Sequence, residues 1–180
     1  IVAAMSTAQS LLPPITAVDH SQPLPLSFNQ QRLWFIQQME PASSAYNMPV
    51  ALRIRGTLNA DALEKAFQQM MARHAILRTR FVSIDANPVQ VIDDNVSWQL
   101  GRQIINADSE QAQKAAVTQI AAQQAALPFD LASGPLLRAT LYQLGNDDHV
   151  LVTVMHHIIS DGTSVSFFLV LISCTTLVCS

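Results

Sequence analysis

Residues Val150–Met155 read VLVTVM, with apolar side chains at both odd and even positions. Successive side chains of a strand point to opposite faces, so such a run needs cover on both sides and belongs in the interior of a sheet. Gly145-Asn146-Asp147-Asp148 is a turn signal just before it, and residues 136–144 form a second strand-like segment. The pattern predicts an antiparallel hairpin whose second arm is a central strand. That strand ends in His156-His157-Ile158-Ile159-Ser160-Asp161-Gly162. A rigid mount therefore delivers two adjacent histidines, with an Asp-Gly pair four residues beyond the second.

The remaining elements follow from spacing and punctuation. Pro13, Pro14, Pro23 and Pro25 mark residues 1–24 as a linker. A helix is expected over Asn29–Met39, with Leu33, Phe35 and Ile36 as apolar contacts and Pro41 as its stop. Pro49–Ile54 reads as a strand closed by Gly56. Asn59 caps a following helix whose Leu63, Ala66, Phe67 and Met70 share a face. Ile76–Ile84 reads as a strand, Asn87-Pro88 as a turn and Val89–Ile92 as the partner. Trp98, Leu100, Arg102 and Ile104 alternate as in a half-buried strand. Asp108 with Gln111 resembles a capping box opening an Ala-rich helix that ends before Pro128. Helices interleaved with partly antiparallel strands predict an α/β (α+β) two-layer sandwich.

Composition excludes several classes. Charged residues are 13% of the 180, the formal net charge is -3, and no Lys/Arg cluster occurs. Phosphate-backbone recognition has no electrostatic footprint, so no nucleic-acid partner is expected. Cys174 and Cys179 are the only cysteines, too few for a disulfide framework or a thiolate metal site. Thr163–Ser180 carries no charge, but serines and threonines interrupt it and no basic residue follows. It is expected to be a buried element or a non-native tail rather than a membrane span.

The histidine segment admits two readings. A histidine titrates near neutral pH and suits general acid-base work, so His157 is either a base for an attacking nucleophile or a satisfied core histidine. Neighbours on an extended strand face opposite ways, so both rings cannot enter one small pocket, and His156 reads as structural. Asp161 reads as an ion-pair partner, and Gly162 as a site of close approach that a side chain would block. Ser160 lacks the Gly-x-Ser-x-Gly elbow of a nucleophilic serine. Adjacent histidines are a poor chelating pair and no His-Glu-x-x-His occurs, so no metal is expected.

Four segments in order carry a resemblance: PLSFNQQRLWFIQQMEPASSAYNMP (Pro25–Pro49), RHAILRTRF (Arg73–Phe81), LPFDLASGPLLRATL (Leu127–Leu141) and MHHIISDG (Met155–Gly162). Together they resemble the N-terminal half of the condensation domain of non-ribosomal peptide synthetases, within the chloramphenicol acetyltransferase-like superfamily. The last motif alone also fits CoA-dependent acyltransferases. The resemblance implies an incomplete chloramphenicol acetyltransferase-like lobe over residues 25–164, followed by a divergent apolar tail, 165–180. It implies amide-bond formation between carrier-bound aminoacyl or peptidyl thioesters and an acceptor amine. His157 is then the catalytic histidine, and His156, Asp161, Gly162 and Arg78 support the site, Arg78 pairing with Asp161. No cofactor is expected on this chain; the substrates ride on the phosphopantetheine of upstream and downstream peptidyl carrier domains. A second lobe and an adenylation domain are further implied partners, and a cytoplasmic location is expected. With half of the tunnel wall missing, the isolated chain is expected to have little or no activity, as would a truncated, non-catalytic product.

Overall fold

The computed structural model describes residues 19 and 22–162. The expected linker up to residue 18, the apolar tail and both cysteines lie outside the described residues.

Among the described residues seven strands and three α-helices follow in order: β1 (Leu24–Pro25), α1 (Phe28–Met39), β2 (Asn47–Arg55), α2 (Ala60–Arg73), β3 (Thr79–Ile84), β4 (Asn87–Ile92), β5 (Gly101–Ile104), α3 (Glu110–Ala126), β6 (Leu137–Gly145) and β7 (Asp148–His156). The larger sheet runs β2-β7-β6-β5 and the smaller one β1-β4-β3. β7 pairs antiparallel with β2 on one side and β6 on the other, and β5 joins β6 in parallel. The VLVTVM run is therefore interior, with every residue from 149 to 156 buried.

The two faces of the larger sheet take different helices. Leu137 and Leu141 of β6 and Leu151 and Met155 of β7 join Leu63, Phe67 and Met71 of α2 in one core cluster. Trp98 stacks on Phe67 at 4.9 Å and donates its ring N–H to the Leu137 carbonyl at 3.1 Å. On the other face Tyr142, Val150 and Val152 pack against Val117, Ile120 and Ala121 of α3. Fully burying one such aliphatic or aromatic side chain contributes about 1.5–3 kcal/mol.

Four local expectations are corrected. Ala75–Arg78 is a 3-10 turn, and the strand begins only at Thr79. The β3–β4 turn is at Asp85 and Ala86, both with positive φ (50° and 63°), while Asn87 and Pro88 already pair in β4. Two consecutive left-handed residues give the turn whose twist matches a hairpin, and here they are not the usual Asn-Gly. β5 is four residues long: Trp98 and Leu100 are buried, but Arg102 and Ile104 are exposed because the strand lies at the sheet edge. Ser109, not Asp108, caps α3, accepting the Ala112 N–H at 3.2 Å.

α1 carries a complete capping box. Ser27 Oγ accepts the Gln30 N–H at 3.3 Å, and Gln30 Oε1 accepts the Ser27 N–H at 2.9 Å. This fixes the first turn of α1. No helix among the described residues is long and apolar enough to cross a membrane.

Candidate active site

Where β7 ends, the two histidines part. His156 N–H bonds the Leu136 carbonyl just ahead of β6 at 3.1 Å, and His157 N–H bonds the Tyr46 carbonyl ahead of β2 at 2.9 Å. The central strand is thus gripped from both neighbours at its last residues. A tight turn follows, with Ile159 N–H returning to the His156 carbonyl at 3.1 Å.

His156 is only 1% exposed. Its Nδ1 accepts the Ile158 N–H at 3.1 Å, and Phe129 meets its ring edge-on with centroids 6.2 Å apart. A backbone N–H can only donate, so the neutral ring carries its proton on Nε2. Burial, and secondarily the neighbouring His157, push its pKa down to about 4, because a low-dielectric site disfavours the cation.

His157 is exposed and lines a cleft of about 570 Å3. Its Nδ1 lies 2.7 Å from the Ser160 carbonyl. A carbonyl can only accept, so Nδ1 carries the proton and Nε2 keeps its lone pair. The neighbouring histidines hold opposite tautomers. Tyr46, Ile76, Ser160 and Asp161 also line the cleft, with Ser27, Asn29, Arg32 and Leu33 from the start of α1. A Cβ at Gly162 would meet no described atom within 4 Å, and its φ is outside the left-handed region. Among the described residues neither packing nor backbone demands glycine there.

Arg78 is elsewhere. Its Nε donates to the Met71 carbonyl at 3.0 Å, and its Nη1 donates to the Asp93 carbonyl. Met71 O is among the last four carbonyls of α2, which have no partner within the helix. Arg78 thus ties down a helix end and lines a second, polar cleft with Asp93, Asn95 and Ser97. Among the described residues no ion pair joins it to Asp161. The pairing with Asp161 is what the resemblance implies, and the sequence does not show which carbonyls the Arg78 guanidinium reaches first. No group of three metal-ligating side chains occurs among the described residues.

The cleft residues of α1 are not marked as site candidates by residue type alone, although they lie inside the Pro25–Pro49 segment. Their signal is the Ser27-x-x-Gln30 box, which sets where the helix begins.

The profile of the family described as "Condensation domain" matches residues 20–173. The chain belongs to this family, the condensation domains of nonribosomal peptide synthetases. It is 42% identical over 153 residues to the malpibaldin synthetase of Mortierella alpina, covering 83% of this chain and 3% of that protein. To the isonitrile lipopeptide synthase of Mycobacterium tuberculosis it is 40% identical over 161 residues, 89% of this chain and 6% of that protein. Among solved structures it resembles the starter condensation domain of rhizomide synthetase, with TM-score 0.75 and 25% identity over 84% of this chain and 36% of that one. It also resembles a four-domain nonribosomal peptide synthetase bound to AMP and glycine, with TM-score 0.73 and 27% identity over 95% of this chain and 12% of that one. The chain therefore spans a few per cent of the synthetases and about a third of the solved domain. The mixed helix and sheet fold is that of the condensation domains.

Proposed function

We propose that residues 25–164 are the N-terminal lobe of a condensation domain that joins a carrier-bound acyl thioester to an acceptor amine. The observation that carries this reading is the 2.7 Å contact between His157 Nδ1 and the Ser160 carbonyl. It fixes the ring so that the basic nitrogen is Nε2, in a cleft with room for substrate.

The chemistry balances with one proton shuttled. The amine nitrogen attacks the thioester carbonyl carbon and passes a proton to His157 Nε2. The C–N bond forms, the C–S bond breaks, and the imidazolium returns the proton to the leaving thiolate. Such a base contributes roughly 10²–10⁴-fold, and holding two tethered reactants together supplies the larger entropic share. Asp161 is assigned to the cleft wall, Gly162 to the open passage beside it, His156 to the scaffold and Arg78 to the end of α2. Phosphopantetheine belongs to the partner carrier domains, upstream and downstream. A second lobe completes the cleft, and an adenylation domain charges the carriers.

The test is single-turnover transfer between carrier-bound substrates by a complete condensation domain containing this segment. His157→Ala is expected to slow amide formation by the factor above while both carriers still bind. Unchanged single-turnover rates in that variant would sink the assignment.

A further inference from the structure

Three polar atoms on one face of the larger sheet are buried with no hydrogen-bond partner among the described residues: His156 Nε2, Asn47 Oδ1 and Arg138 Nε. His149 Nδ1 is in the same condition, but it belongs to the opposite face of β7, since 149 and 156 differ by an odd number.

Register brings the three together. Asn47 of β2 and His156 of β7 are direct cross-strand partners. The adjacent pair Tyr46–His157 is the hydrogen-bonded one, so Asn47–His156 is of the kind whose side chains lie closest. Arg138 of β6 pairs with Val154, two residues before His156 and on the same face. The Leu127 carbonyl accepts Asn47 Nδ2 at 2.7 Å and Arg138 Nη2 at 2.6 Å. Phe129 touches both others, edge-on to His156 and with the Arg138 guanidinium 3.7 Å from its centroid.

The three atoms are chemically complementary. His156 Nδ1 already accepts, so Nε2–H is a donor. Arg138 Nε–H is a second donor. Asn47 Nδ2 donates to the Ala125 and Leu127 carbonyls, each at 2.7 Å, so the amide cannot be flipped and Oδ1 is an acceptor. None of these atoms reaches another within hydrogen-bonding distance. One water oxygen accepts both N–H groups and gives an O–H to Oδ1, satisfying all three with the three bonds usual for a buried water.

We infer that a single buried water bridges His156 Nε2, Arg138 Nε and Asn47 Oδ1, and that through it Asn47 is a positioning residue for the histidine pair. The second half of this inference rests on His157 being the working base. Asn47 at the start of β2 and Tyr46 just before it then hold the two histidines, Tyr46 through the His157 backbone N–H and Asn47 through the His156 ring.

The test begins with the wild-type complete domain, labelled with ¹⁵N-histidine. Long-range proton–nitrogen correlation is expected to show His156 protonated on Nε2, and its Hε2 is expected to show cross-relaxation with a long-lived water. A proton on Nδ1, or an Hε2 without any water contact, overturns the bridge without need of a variant. Asn47→Ala is then expected to abolish the water signal and lower kcat roughly 10–100-fold, with KM changed less than about twofold. Loss of the water with kcat unchanged overturns the positioning role. If Asn47→Ala does not fold, Arg138→Met removes another ligand of the same water and is read the same way. A water signal in a wild-type domain that forms no amide supports the bridge and sinks the catalytic reading beneath the positioning role.

Discussion

Two neighbouring imidazoles are tied at the same ring atom in opposite senses. His156 Nδ1 accepts a hydrogen bond from the Ile158 N–H, and His157 Nδ1–H donates one to the Ser160 carbonyl. The buried ring resists protonation because burial, and secondarily the neighbouring His157, disfavour its cation. Its folded pKa, about 4, lies below the unfolded value, near 6.5. Between these values the unfolded chain binds more protons, so stability is full above about pH 6.5 and falls as pH drops toward 4. The loss is expected to be about 1–3 kcal/mol, measurable by urea denaturation at pH 7 and pH 4.5, and a His156→Gln variant should lose less over that window. His157→Ala, by contrast, removes an exposed side chain, and its thermal midpoint is expected to stay close to wild type, so that any kinetic deficit is chemical. That the two rings face different surroundings was legible in their adjacency on a strand. Which nitrogen each one offers was not, because that depends on carbonyls and amides brought in by a turn. Arg78 illustrates the same limit, since its nearest acceptors come from α2 and the stretch after β4.

At the level of elements, what could be read depended on how far the information was local. β7 stood out because burial on both faces leaves its mark at every residue. α1 and α2 stood out by their caps and stops. The 3-10 turn over Ala75–Arg78 looked like strand because its apolar residues join the core while its backbone turns. Asp85-Ala86 was passed over because nothing in those residue types demands positive φ. β5 shows a tertiary constraint of another kind. A Cβ at Gly101 would come within 2.8 Å of Thr140 Oγ1 and 3.3 Å of Thr140 Cβ on the paired strand. Threonine is stiff at χ1 and cannot swing aside freely. Gly101→Ala is therefore expected to destabilise the protein by about 1–3 kcal/mol and to speed amide exchange in β5 first. Thr140→Ala should recover part of that loss in a double-mutant cycle; simple additivity would show that the contact is not the cause.

Among the described residues, half of the exposed large apolar side chains lie on α1, the others being Ile84, Ile104 and Leu127. Phe28, Phe35 and Met39, at 90%, 60% and 69% exposure, are spaced seven and four residues apart and form one stripe on α1. Replacing Phe28 and Met39 by Gln in the 180-residue chain is expected to lower concentration-dependent light scattering while leaving the unfolding free energy within about 0.5 kcal/mol. Unchanged scattering would place the adhesive surface elsewhere. The sheet edges behave differently. With Tyr46–His157 hydrogen-bonded, alternation makes Pro49–Val154 a pair whose backbone groups point away from each other. The missing N–H of Pro49 thus falls on the outer side of β2, within its nine residues. At the opposite edge β5 offers only four residues. A cross-β fibre grows only if each layer presents a complete row of donors and acceptors to the next. Here one end has a gap in that row and the other is too short to seed it. Pro49→Val is expected to shorten the lag of thioflavin-positive aggregation, and an unaltered lag would show that growth starts from another surface. In the larger sheet a single imino acid thus leaves one edge strand short of a donor, in a protein whose low charge offers little electrostatic repulsion against self-association.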